Sequence, residues 1–323
     1  GLDHFVNAAG GIDIIIGGPP CQAYSVAGRV RDENGMKDDY RNYLFEHYLS
    51  VVNRYQPKVF VFENVPGLLS AMSDGTPIIQ LIESGFSSIG YEIVDDVKKY
   101  AKVDASDYGV PQNRERLIIL GIRKDLCEDV QVILHRFYLE ILPKYKSKKK
   151  KTVAEAIGDL PKITPIINDE ELKSRIGYSK PECHTTWHRA RHHSLRDVEI
   201  YRMLANDIQS GRNEYVDSKS LSDLYEEKVG AKSPIHRYHV LRADEPSTTI
   251  ISHLDRDGNR FIHYDPEQGR DITPREAARI QSFDDDFDFI GNQTDTYIMI
   301  GNAVPPLLAK CVGLAVSEVL DIL

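Results

Sequence analysis

The chain has only four cysteines in 323 residues, Cys21, Cys127, Cys183 and Cys311, and none stands in a CxxC pair. So sparse and scattered a set excludes a disulfide framework and reads as reduced, intracellular thiols. Cationic side chains are not in excess: 40 Lys and Arg face 49 Asp and Glu, for a formal net charge of −9. That balance argues against a polyanionic partner unless Lys and Arg are concentrated locally. No apolar run reads as long enough to span a membrane, no signal peptide opens the chain, and the first residue is Gly1 rather than Met.

What is present is ordinary for a globular protein: 41% hydrophobic and 28% charged residues, enough for one large domain and a smaller one. In the first half, apolar strands alternate with amphipathic helices. Ile12–Ile16, Val59–Phe62 and Leu117–Ile122 read as buried strands, with helical periodicity over Leu44–Tyr55 and Ile78–Ile89. This alternation predicts an α/β fold with a doubly wound, mostly parallel sheet covered on both faces. The character changes after Arg123. Lys144–Lys151 reads as a solvated linker and Thr152–Leu160 as a short helix ended by Pro161. Ile163 to about Asp285 is polar, and Leu308–Leu320 has the period of a C-terminal helix. The expected division is 1–160, a smaller domain over 161–285, and a returning segment over 286–323.

Three motifs sit at strand ends, where ligands bind in open α/β sheets. Gly17-Gly18-Pro19-Pro20-Cys21-Gln22 follows the first strand, and its glycines and prolines fix the loop that presents Cys21. Glu63-Asn64-Val65-Pro66 follows the second strand. Gln112-Asn113-Arg114-Glu115-Arg116 precedes the third; Arg114 and Arg116 are two apart and share one face if extended. Read singly, each has a plain structural alternative: a buried thiol, a surface glutamate, a salt-bridged strand end. Together they bring a nucleophile, a carboxylate and a guanidinium to one crevice.

In this combination and order the chain resembles the DNA cytosine-5 methyltransferases along nearly its whole length. Arg270–Phe283 resembles the motif at the base of that family's smaller domain, and Gly301-Asn302-Ala303-Val304-Pro305-Pro306 the motif before its last helix. The resemblance implies a Rossmann-like, S-adenosylmethionine-dependent fold and attack of Cys21 on cytosine C6. Glu63 is then expected on the N3/N4 edge and Arg116, supported by Arg114, on the ring carbonyl. It places Pro19, Leu44, Asn302 and Val304 against the methyl donor, and Gln22, Ser25 and Gln112 against DNA. No Phe-x-Gly-x-Gly donor loop precedes Cys21, so weak donor binding by this chain alone is expected.

The segment over 163–238 falls where the family recognises its target. It carries His184, His188, Arg189, Arg191, His192, His193 and Arg196 around Trp187. Arg189, Arg191 and Arg196 are expected on phosphates of double-stranded DNA. Zinc is disfavoured because no second cysteine pair accompanies these histidines. The expected setting is a restriction-modification or phage system in the cytoplasm of a bacterial or phage-infected cell, without membrane. The alternatives are a catalytically silent DNA-binding fragment, a split enzyme completed by a separate N-terminal polypeptide, and a tRNA cytosine-5 methyltransferase.

Overall fold

The computed structural model describes residues 2–19, 44–73, 75–167, 175–231 and 238–323. Cys21, Gln22 and Ser25 lie outside the described residues. The chain divides into two compact units. The first comprises Gly1–Ala105, Glu115–Lys146 and Lys310–Leu323; the second comprises Ser106–Arg114 and Ser147–Ala309. The expected divisions after residues 160 and 285 both fall inside the second unit.

The first unit holds a five-stranded sheet of β1 (Ile14–Gly17), β2 (Val59–Asn64), β3 (Tyr91–Ile93), β4 (Lys102–Asp104) and β5 (Glu115–Arg123). β1 pairs with β2 in parallel, while β5 runs antiparallel to β2, β3 and β4. Four strands therefore share one direction and β5 opposes them, so the sheet is mostly parallel with one reversed strand. Val59–Phe62 carries no polar side chain and is buried throughout, as expected of a strand covered on both faces. β1 departs from that expectation: among the described residues it pairs only with β2, and Ile16 is 66% exposed.

The sequence spacing explains the helices. α1 (Leu2–Ala8) opens the chain, and α2 (Leu44–Tyr55) fills the span its periodicity predicts. In α3 (Ile78–Ser88) the buried residues Ile78, Ile82 and Phe86 repeat every four positions and form one stripe. Phe86 stacks on Phe60 with centroids 4.0 Å apart. Phe60 lies opposite Gly121 of β5, where a Cβ would collide with its ring. α4 (Val130–Arg136) adds Val130 and Leu134 to the core.

In the second unit, α5 (Val153–Ile157) starts at a Thr152–Glu155 capping box. Two helices, α6 (Leu195–Gln209) and α7 (Ser218–Val229), form within the stretch that read only as polar. Their apolar faces, including Ile200, Leu204, Leu221 and Leu224, cluster with Tyr238, Val240 and Ile262. Ser247–Ile250 forms no strand and contributes an isolated bridge from Ser247 to Gln112. α8 (Pro274–Ile280) and α9 (Gln293–Asn302) pack with Leu254, Phe261 and Ile272 in a second cluster.

The last helix, α10, spans Pro306–Ile322. Against the reading of the sequence, Gln293–Ile322 is long and apolar enough, by length and composition, to cross a membrane. The structure breaks that stretch at Ala303–Pro305 and buries Tyr297, Ile300, Leu308, Val312, Val316 and Val319, which accounts for much of its apolar character.

Candidate active site and nucleic-acid cleft

Because β1 and β2 are parallel, with Gly17 opposite Phe62, their carboxyl ends open side by side. The Asn64 amide donates to the Pro19 carbonyl at 3.0 Å, and its oxygen accepts the Val65 N–H at 2.9 Å, so one side chain ties the two strand ends together. A Cβ on Gly18 would stand 2.7 Å from Glu63 Oε2, so only glycine lets the loop pass this close. Beneath, the Tyr48 hydroxyl of α2 donates to the Val61 carbonyl at 3.0 Å. Pro19 and Leu44 are both half-buried in this unit.

Glu63 pairs with Arg116, whose Nε is 3.0 Å from Glu63 Oε1; the two side chains are 19% and 12% exposed. Register explains the meeting, since Glu63 lies opposite Ile118 on the neighbouring strand and Arg116 is two residues from it. Burial lowers the Arg116 pKa, and Glu63 works against that shift. Arg116 Nη1 also donates to the Glu115 carbonyl at 2.7 Å. A carboxylate and a guanidinium held side by side can grip a heterocycle that offers both donors and acceptors.

Gln112 and Arg114 belong to the second unit. Gln112 is fully buried: its amide nitrogen donates to Gln281 at 2.5 Å, and its oxygen accepts the Ile250 N–H at 2.8 Å. Arg114, 2% exposed, donates to the carbonyls of Ile250 (2.7 Å), Gly301 (2.8 Å) and Ala303 (3.1 Å). Both are engaged with internal backbone and amide groups of this unit. In the same unit, Asn302 is exposed at the end of α9 and Val304 is half-buried. A Cβ on Gly301 would collide with the backbone of Ile251 and Ser252.

The predicted cationic segment splits in two. Arg191 turns inward, paired with Asp271 and bonded to the Asp255 carbonyl. Burial alone would lower its pKa, but Asp271 outweighs burial and raises it. His193 Nε2–H donates to Asp271 Oδ1 (2.9 Å), and His188 bridges Thr273 Oγ1 (3.2 Å) and the Pro161 carbonyl (2.8 Å). Arg191 is therefore engaged in an internal ion pair. The stretch 188–197 lines a cleft of about 1630 Å³, with Arg191, His188 and His193 in its wall. Arg175, Lys180, Arg189, Arg196 and Arg256 line it exposed, against two carboxylates, Asp197 and Asp255. The caps of α6 (Ser194) and α9 (Asn292) also border it, adding the positive ends of two helix dipoles.

These features can be set beside known proteins. The family described as C-5 cytosine-specific DNA methylase matches residues 5–318. The chain belongs to that family. It is 34% identical over 332 residues to the Type II methyltransferase M.Bpa9945I of Bacillus paralicheniformis, covering 98% of this chain and 72% of that protein. It is 33% identical over 307 residues to the Type II methyltransferase M1.HphI of Haemophilus parahaemolyticus, covering 95% and 68%. Among solved structures it is similar to a protein described as a DNA modification methyltransferase encoded within an E. coli prophage. There the TM-score is 0.58 at 25% identity, over 99% of this chain and 82% of the other. The S. pombe Dnmt2 methyltransferase shares the fold, with a TM-score of 0.51 at 14% identity, over 96% and 79%. The protein is a DNA (cytosine-5-)-methyltransferase of restriction-modification type.

Sequence reasoning missed the buried charges that shape this methylase's second unit. Asp271 is fully buried, and its pKa is lowered: burial pushes it up, but Arg191 and His193 outweigh that. Arg270 grips Glu276 with two bonds of 2.7 Å. Arg275 donates to Thr186, Asp284 and Phe287 at 2.9–3.0 Å. The only available signal was the density of charge in Arg270–Glu276, within a motif that also supplies the α8 capping box.

Proposed function

We propose that this methylase transfers the methyl group of S-adenosylmethionine to C5 of a cytosine flipped out of double-stranded DNA, with Cys21 as the nucleophile. The observation that supports this best is the Glu63–Arg116 pair beside Gly18, three residues before Cys21 in the sequence. C5 of cytosine is too weakly nucleophilic to be methylated unaided. Addition of the Cys21 thiolate to C6 forms an S–C6 bond and turns the ring into an enamine with electron density at C5. Glu63 holds the N3/N4 edge, passing N3 a proton from solvent as charge develops there and accepting the N4–H, and Arg116 donates to the ring carbonyl. Once C5 is methylated, its proton leaves to a base, the S–C6 bond breaks and the thiolate returns. None of this chemistry is reachable inside a duplex, so the base must leave the stack.

Pro19, tied to the strand end through Asn64, and Leu44, at the start of α2, are half-buried carbon surfaces that suit the apolar parts of the donor. When bound, S-adenosylmethionine supplies an electrophilic methyl group. The cationic cleft of the second unit suits the phosphate backbone of the duplex. The test is a duplex carrying 5-fluorocytosine at the target, with donor present. Fluorine cannot leave as the proton does, so a covalent protein–DNA complex is expected. Equal trapping by Cys21→Ser would overturn the assignment.

A further inference from the structure

Arg189 differs from the other cations of the cleft in how it is held. Its guanidinium lies over the Trp187 ring, 4.7 Å from the centroid. Among the described residues no carboxylate lies within salt-bridge distance of it, whereas Arg196 and Arg256 sit 3.7 and 3.9 Å from Asp197 and Asp255. Trp187 is itself a fixed platform. Its indole N–H donates to Asp288 at 3.2 Å, its carbonyl accepts the Arg275 N–H at 3.2 Å, and its apolar edge packs on the unit's core. Its backbone is left-handed, with φ +66°, a region that a bulky side chain occupies only when its surroundings impose it. The neighbouring His188 is anchored through both ring nitrogens, and the Arg189 carbonyl accepts from Gln293 at 3.3 Å. Everything around Arg189 is fixed inward while its planar fork faces the cleft.

A phosphate contact needs only charge and tolerates a mobile side chain. A stacked, pre-oriented guanidinium instead suits a planar partner with two acceptors in a row. On the duplex that partner is the O6/N7 edge of guanine in the major groove. We propose that Arg189, seated over the Trp187 ring, is a specificity-determining residue that reads one guanine of the target sequence, while Arg196 and the remaining exposed cations bind phosphate. This rests on the reading of the second unit's cleft as the surface that meets DNA.

The experiment selects bound duplexes from a random pool, with the full chain and with Arg189→Lys, Trp187→Leu and Arg196→Ala. Salt dependence is then measured on one selected and one unrelated duplex. Arg189→Lys keeps the charge and is expected to lose about 5- to 150-fold discrimination at a single G·C pair. Its affinity for the unrelated duplex and its salt slope should remain close to the parent's. Trp187→Leu should relax the same position. Arg196→Ala should weaken both duplexes alike and reduce the log–log slope by about 0.9. An Arg189→Lys selection identical to the parent's would overturn the proposal, as would relaxation at no single position. Because selection reads binding rather than methyl transfer, a parent that binds a defined sequence but forms no 5-fluorocytosine adduct would count against the catalytic reading alone.

Discussion

Arg116 Nε stands 3.0 Å from Glu63 Oε1, each at the end of a neighbouring antiparallel strand and each largely withdrawn from solvent. The pair holds the Glu63 carboxyl in one orientation, with its second oxygen left for a cytosine edge. Replacing Glu63 with Gln keeps the shape and removes the charge. Single-turnover methyl transfer is expected to fall about 10²- to 10⁴-fold, with DNA affinity little changed. A rate within threefold of the parent would remove Glu63 from the chemistry.

Two glycines should respond oppositely to alanine. At Gly18 the new Cβ meets the far end of the Glu63 side chain, which can swing away. The chain should fold with a stability change below about 1 kcal/mol, yet lose activity by about tenfold or more because the carboxylate is displaced. At Gly301 the Cβ meets backbone on both Ile251 and Ser252, which cannot swing. Overpacking there should cost about 1–3 kcal/mol in urea unfolding. Equal stability of the two variants would contradict this contrast.

Arg191→Ala should act on stability before it acts on DNA. Asp271, fully buried, would keep only His193, and removing one partner of a buried ion pair costs about 3–5 kcal/mol. Arg191→Ala should therefore lower the melting temperature well below that of Arg189→Ala. If it instead lowered the salt slope of DNA binding with no loss of stability, Arg191 would be a phosphate contact after all.

His263 makes folding sensitive to mild acid. Burial lowers its pKa to about 4, although Glu276 pulls it up; Arg270, Asp265 and His188 also face it. The unfolded chain takes up a proton near pH 6.5 while the folded chain stays neutral until about 4. The stabilisation is therefore complete above 6.5 and is lost as pH falls to 4, about 3 kcal/mol in all. His263→Gln should flatten urea stability across that interval. A parent stability that is already flat from pH 7 to 4 would show that His263 is not held neutral.

Much of the first unit was legible because its elements are local. The strand over Val59–Asn64 and the helices over Leu44–Tyr55 and Ile78–Ser88 follow directly from apolar period. The reversal of β5 was not legible, because a continuous apolar strand carries no sign of direction. The partners of Arg114 and Gln112 were not legible for a different reason. They are carbonyls and amides 136 to 189 residues further along, and an arginine bound for a backbone carbonyl looks in sequence like one bound for a substrate. The stretch from Trp187 to Arg196 is rich in cations, but an irregular loop has no period, so which of them turn inward could only come from the fold. Cys21 remains an inference from its motif, since it lies outside the described residues.

The chain passes into the second unit for only nine residues, Ser106–Arg114, before returning to the first and crossing again at Ser147. That strip supplies Gln112 and Arg114, whose side chains hold the backbone of residues 250, 301 and 303. A chimera meant to borrow another methylase's target preference therefore cannot be made as one cassette. A graft cut at 147 and 309 would inherit a foreign Gln–Arg strip, with side-chain lengths and carbonyl positions set by different ancestors. Exchanging both segments together should yield folded hybrids, whereas the long segment alone should yield hybrids that aggregate unless their strips happen to match.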